Sequence, residues 1–375
     1  MNSFSSFSFC TLFYGVLFFL LSQNTAYGQG EATKIDSLLE HYYHGGKFVG
    51  VALVSNGSRI MLKRGFGLAN RDNKVSNEPH TIFRIASITK QFTAVLVMQL
   101  VETRQLALDG KISDYLPGFS RETGSLVSIH QLLTHTSGIP EFNCPGCSLL
   151  DTLKKKHHVQ DLVQRFGGGD LLFEPGTKFQ YSNMDYLILG AIIEKVTGKK
   201  WENLLAEKIL KPLHLTSTGM DYPGRKNTKN AQGYFKQGDV YYSDPEIYMP
   251  NLQAAASMYS DVMDVWRWSQ ALYAKPNVLL SQKSLELMFG GKDKPLFHLG
   301  FVGYSTWVYQ QDLGPDTKVT VHERRGEVGG FHCSLVRVVD RNQAVILLSN
   351  VGTNESVGTL YEITSKIVKI INNVE

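Results

Sequence analysis

The first thirty residues of this 375-residue chain contain no Asp, Glu, Lys or Arg, and the first charge is Glu31. A strong charge imbalance is missing too: 38 Lys plus Arg face 34 Asp plus Glu, a formal charge of +4. Nothing in that balance calls for a nucleic-acid partner. Only four cysteines occur, too few for a disulfide framework in a chain of this length. No repeats or low-complexity tracts follow residue 30. What is present is ordinary globular composition, 43% hydrophobic and 11% aromatic, which can bury a large core and excludes a disordered or collagen-like chain.

Residues 9–21 form a mostly apolar run, short for a membrane span of about 20 residues, followed by polar Ser22, Gln23, Asn24 and Thr25. Ala26 and Gly28 put small residues at the two positions a signal peptidase reads. This predicts a signal peptide over residues 1–28 and a mature chain from Gln29, secreted or periplasmic, with an uncleaved membrane anchor as the alternative. No later stretch approaches a spanning length, so no membrane span is expected in the mature chain. Cys10 would leave with the signal. In an oxidising compartment Cys144-Pro145-Gly146-Cys147 reads as a small-loop disulfide, and a zinc site with His157 and His158 is the alternative, lacking a second spaced ligand pair. Cys333 reads as a buried thiol.

Ile35, Leu38, Leu39 and Tyr42 repeat as the apolar stripe of a helix. Residues 49–54 and 59–65 read as strands around Asn56-Gly57, the strongest short hairpin signal. The other end mirrors this: strands over 334–339 and 344–348, then a helix carrying Val357, Leu360, Ile363, Ile367 and Ile370. Helical patterns fill the middle, at 89–102, 187–196 and 260–272. The order predicts an α+β fold, an antiparallel sheet built from both chain termini and flanked by helices, with a mainly helical inserted lobe.

Two constellations carry chemistry. In Phe83-Arg84-Ile85-Ala86-Ser87-Ile88-Thr89-Lys90, Ser-x-x-Lys opens a helix whose next residues include five consecutive apolar positions, 94–98. Spacing of i, i+3 puts the Ser87 hydroxyl and Lys90 amine on one face. A helix apolar all round leaves Lys90 nowhere wet to go, and a desolvated ammonium loses its proton readily and can take one from Ser87. The motif is common by chance, and its bland alternative is a capped helix with a lysine reaching to solvent. The second constellation, Tyr181-Ser182-Asn183, follows a Pro175-Gly176 turn and precedes an apolar helix. It offers a phenol for proton transfer and an amide for Lys90 or a substrate carbonyl.

With these residues the chain resembles the serine β-lactamase and penicillin-binding-protein superfamily, in the branch holding class C β-lactamases, D-Ala-D-Ala carboxypeptidases and related esterases. Matching stretches include 83–93, Leu132-Leu133-Thr134-His135-Thr136-Ser137-Gly138, 173–183, 212–220 and Gly330-Phe331 through Leu348-Ser349-Asn350. The resemblance implies a β-lactamase-like unit over 29–375, an α/β lobe of about 29–84 and 255–375 and a helical lobe of about 85–254. It implies Ser87 as acylated nucleophile, Lys90 as base, Tyr181 as proton relay and Asn183 as the amide that binds substrate. His135 is expected to brace its loop.

The family's third element, Lys-Thr-Gly or His-x-Gly, falls on Arg324-Arg325-Gly326-Glu327, so Arg324 stands where Lys or His is usual. Arg324 is therefore expected to bind a substrate carboxylate, with Gly326 and Glu327 beside it and the N–H groups of Ser87 and Glu327 as the oxyanion hole. The Glu327 side chain must point away or pair with Arg325. His322 entering that register is the alternative, at the expense of a two-residue insertion. The expected function is a serine hydrolase of D-amino-acid peptides or small esters, ahead of β-lactams, without metal or organic cofactor. A non-catalytic cell-wall or ligand-binding protein of the same fold is the alternative.

Overall fold

The structure is a computed structural model that describes residues 30–142, 149–225, 229–291, 296–297 and 300–374. The expected signal segment and the Cys144–Cys147 pair lie outside the described residues. At the amino-terminal end come helix α1 (residues 30–44) and a hairpin of β1 (Gly50–Asn56) and β2 (Arg59–Phe66). The hairpin turns at Gly57, whose φ of +62° is the left-handed conformation that glycine adopts without steric penalty. Near the other end lie β3 (Leu296–Phe297), β4 (Gly300–Gly303), β5 (Thr306–Asp312), β6 (Lys318–Val328), β7 (Phe331–Val338) and β8 (Gln343–Ser349). They form one antiparallel sheet in the order β3-β4-β5-β6-β7-β8-β1-β2. The β8 to β1 seam, Gly50↔Ser349 to Asn56↔Gln343, joins the two chain ends as expected.

Strand alternation divides the core in two. Val51, Leu53, Leu335, Ile346 and Leu348 face the helical middle of the chain. Ala52, Val54, Val336, Val345 and Leu347 face α1 and α5 (Ser356–Ile371). Both faces are covered, which is why β1 and β8 read as continuous apolar runs. Ile35 and Leu39 of α1 meet Ile363 and Ile367 of α5 in that second core. Val357, expected on the buried stripe of α5, is instead 38% exposed. The middle segment contributes α2 (Thr89–Glu102), α3 (Asn183–Thr197) and α4 (Val262–Leu272). Residues Ile129–Leu133 form a short helix, at whose start Ser128 and Gln131 close a capping box. Among the described residues, no helix is long and apolar enough to cross a membrane.

Candidate active site

Ser87 lies in a one-turn 3-10 helix, Ala86–Ile88, directly before α2. Ala86 takes φ +47°, which a residue with a Cβ adopts only when its surroundings impose it. Those surroundings are rigid: Ala86 is fully buried and Ile85 N–H donates to Met258 O at 2.9 Å. The distorted turn presents Ser87 to a cavity of about 670 Å³ lined also by Tyr181, Asn183, Trp307, Gly326 and Glu327.

Lys90, one turn further on, is completely buried, as the apolar run around it requires. Its Nζ reaches Ser87 Oγ at 3.0 Å, Asn183 Oδ1 at 2.6 Å and Ala255 O at 2.9 Å. The last two atoms only accept. A neutral amine can donate one N–H to each and turn its lone pair to Ser87 Oγ. Burial pushes the Lys90 pKa down to about 8, aided by the Arg324 charge and opposed by Tyr181. Tyr181 shares a 2.7 Å hydrogen bond with Ser87 Oγ. Burial alone would raise its phenol, but the charges of Arg324 and Lys90 outweigh that and hold it below its ordinary value.

The second constellation is delivered as a loop that ends in a helix cap. Gly176, at φ +90°, donates to Thr136 O, Gln180 N–H donates to His135 O, and Ser182 caps α3 through Met184 N–H. His135 sits behind the loop, Nδ1 2.9 Å from Asp185 Oδ2 and its ring 4.4 Å from that of Tyr181. Burial holds the imidazole well below and the Asp185 carboxyl well above their ordinary values, and the sealed, hydrogen-bonded pair suits the bracing role. Glu141 was not singled out from the sequence. Its carboxylate accepts from Asn183 Nδ2 at 2.9 Å and from the Asn183 backbone N–H. That clamp turns Asn183 Oδ1 toward Lys90. An acid at a Pro-Glu step in a loop carries no sequence signal for this task.

The third element lies on β6, whose pairing with β5 stops at Trp307↔Glu323. Among the described residues, 324–328 pair with β7 alone, and this stretch lies beside the Ser87 turn. Gly326 packs against the Ser87 turn so closely that a Cβ would fall 2.3 Å from Ile85 O and 3.0 Å from Ser87 N. No other residue type permits that approach.

Arg324 differs from its expectation. It is 1% exposed and does not line the cavity; its Nε donates to Ser87 O at 2.7 Å and its Nη2 to Tyr181 OH at 2.8 Å. The structure places it behind Ser87, because strand alternation points residues 324 and 326 at the Ser87 turn. A substrate carboxylate has no direct route to it. Arg325, on the other face, pairs with buried Glu323, so Glu327 takes the outward course open to it and is 60% exposed. His322 lines a separate cavity with Tyr273 and Phe289, which rules out the slipped register. Cys333 is a buried free thiol, as read. Among the described residues no cluster of three or more metal-ligating side chains occurs.

The antiparallel sheet with a helical middle segment is the fold of serine β-lactamases and penicillin-binding proteins. The beta-lactamase family profile matches residues 35–364, and the chain belongs to that family. It is 28% identical over 331 residues to Protein flp of Staphylococcus aureus (strain MRSA252), covering 85% of this chain. The chain spans 63% of the length of that relative. The octameric penicillin-binding protein homologue from Pyrococcus abyssi superimposes with a TM-score of 0.79 at 25% identity, over 92% of this chain and 78% of that one. A D-amino acid amidase from Ochrobactrum anthropi SV3 shares the fold with a TM-score of 0.77 at 23% identity, over 92% and 99% of the two chains.

Proposed function

We propose that the protein is a secreted serine hydrolase that works through an acyl-enzyme on Ser87. The observation that carries this reading is the environment of Lys90: two of its three contacts accept only, so its lone pair is left for the Ser87 hydroxyl 3.0 Å away. Ser87 Oγ bonds the substrate carbonyl carbon while its proton passes to Lys90 Nζ. The oxyanion is held by the backbone N–H groups of Ser87 and Glu327 at the open edge of β6. The tetrahedral intermediate expels its leaving group, which takes a proton by way of Tyr181, and water then releases the acid and regenerates Ser87. The whole sequence needs no metal or organic cofactor.

Residues 1–28 serve as the signal peptide in this reading, and 29–375 act as one hydrolase unit with its helical lobe at about 85–254. Substrates are D-amino-acid peptides or amides and small esters, ahead of β-lactams. The burial of Arg324 supports placing amides and esters without a carboxylate ahead of β-lactams, since among the described residues the cavity then lacks a free cation for the carboxylate that β-lactam antibiotics carry.

Reaction of the purified protein with a fluorophosphonate and with a fluorescent penicillin, followed by mass spectrometry, tests the mechanism. An adduct on Ser87, absent in Ser87→Ala, is expected with at least the fluorophosphonate. A folded protein that forms no Ser87 adduct with either probe overturns the reading in favour of a binding protein.

A further inference from the structure

The cavity beside Ser87 continues around the open edge of β6 to the opposite face of the sheet, where the N-terminal turns of α5 close it with Val357 and Tyr361. Among the described residues, three formally charged side chains line it: Glu323, Arg325 and Glu327. The first two cancel. Arg325 donates to Glu323 through both Nε and Nη2, the latter at 2.9 Å, and Tyr309 OH adds a third hydrogen bond at 3.0 Å. Lys90 and Arg324 sit behind the Ser87 and Tyr181 side chains, 0% and 1% exposed, where they can contact no substrate charge. Among the described residues, the charge left in contact with the cavity is the Glu327 carboxylate.

A second observation points to what that carboxylate receives. His332, directly opposite Glu327 across the β6–β7 ladder, is 4% exposed and lines the same cavity. Among the described residues its Nδ1 has no hydrogen-bond partner, and it lies 4.0 Å from Glu327 Oε2, too far for a direct bond. Burial lowers the pKa of this imidazole, against the opposing pull of Glu327, and in the tautomer protonated at Nε2 its Nδ1 offers a lone pair. One nitrogen about 2.9 Å from each, the spacing of N–H···O and N–H···N bonds, would bridge two acceptors 4.0 Å apart. A primary ammonium has the donors to serve both; a carboxylate has none and would meet Glu327 as a like charge.

We propose that Glu327 and His332 form a cation-binding subsite that selects acyl substrates bearing a primary ammonium group over matched substrates bearing a carboxylate. The apolar walls from Val357 and Tyr361 take the carbon chain between the ammonium and the reacting carbonyl. The proposal deepens the acyl-transfer reading and relies on it for its kinetic test alone.

Three 4-nitrophenyl esters of one length separate the charge effect from reactivity: the hexanoate, the 6-aminohexanoate and the monoester of adipic acid. The 6-aminohexanoate should exceed the adipate ester in kcat/KM by about tenfold at low salt, and Glu327→Gln should cut that ratio to about threefold or less. In parallel, calorimetry on Ser87→Ala protein should find hexylammonium binding tighter than hexanoate, a preference lost when Glu327→Gln is added. Equal treatment of the two charges, a preference for the anion, or a ratio untouched by Glu327→Gln overturns the proposal. If no ester is turned over and no Ser87 adduct forms, the hydrolase reading fails by itself, and the binding comparison still decides the subsite.

Discussion

The two faces of β6 hold the same kinds of residue under opposite conditions. On one face Arg324 is sealed against the nucleophile turn with Gly326 beside it; on the other, Glu323, Arg325 and Glu327 run toward a cavity. The sealed face uses charge to tune its neighbours, since Arg324 lowers both Lys90 and Tyr181. The cavity face neutralises one pair internally and leaves one carboxylate for whatever enters. Burial thus decides whether a charge can tune its neighbours or can meet a group that enters the cavity.

The largest effect should come from breaking the sealed face at its closest approach. In Gly326→Ala the new methyl would stand 2.3 Å from Ile85 O, so the strand or the Ser87 turn must move. A displacement of about 1 Å at a reacting group costs on the order of a hundredfold in rate, measurable as kcat on a neutral ester. Next comes Arg324→Ala. It should lower kcat/KM by about tenfold or more for neutral and carboxylate-bearing esters alike, because the side chain contacts Ser87 O and Tyr181 OH rather than the cavity. A selective loss on carboxylate substrates would place Arg324 in the cavity after all.

The pH profile sharpens the comparison. In the proposed mechanism Lys90 acts as base in its neutral form, and its pKa is lowered to about 8, so kcat/KM should rise with pH by about tenfold per unit and level off above that value. Arg324 helps to depress this pKa, so its removal should move the inflection upward, whereas Glu327→Gln should leave it in place. A flat profile through neutral pH contradicts the role of Lys90. The smallest effect belongs to the exposed face: Glu327→Gln should change thermal stability by no more than about 0.5 kcal/mol, since its side chain is 60% exposed. A larger loss would mean that the His332 contact holds the ladder together.

Much of this fold and site was legible because it rests on short-range patterns. The Asn56-Gly57 hairpin, the stripes of α1 and α5 and the Ser-x-x-Lys helix depend on residues within a few positions of each other. Lys90 was readable as buried because residues 94–98 left its helix no polar side. Strands β3 to β5 and the capped helix at Ile129–Leu133 were less legible, being short and set by cross-strand partners or by one capping box. Glu141 could not be found locally, since its partner Asn183 lies 42 residues away.

By itself the sequence determined which side chains could do acyl-transfer chemistry and that sheet would come from both chain ends, because periodicity and spacing are properties of neighbouring residues. Tertiary structure alone decided what each charge is for. Arg324 and Arg325 are adjacent and chemically identical, yet strand alternation turns one toward Ser87 and the other toward the cavity. Which face lies open depends on where β5 stops pairing with β6, and a strand edge is fixed by partners far along the chain.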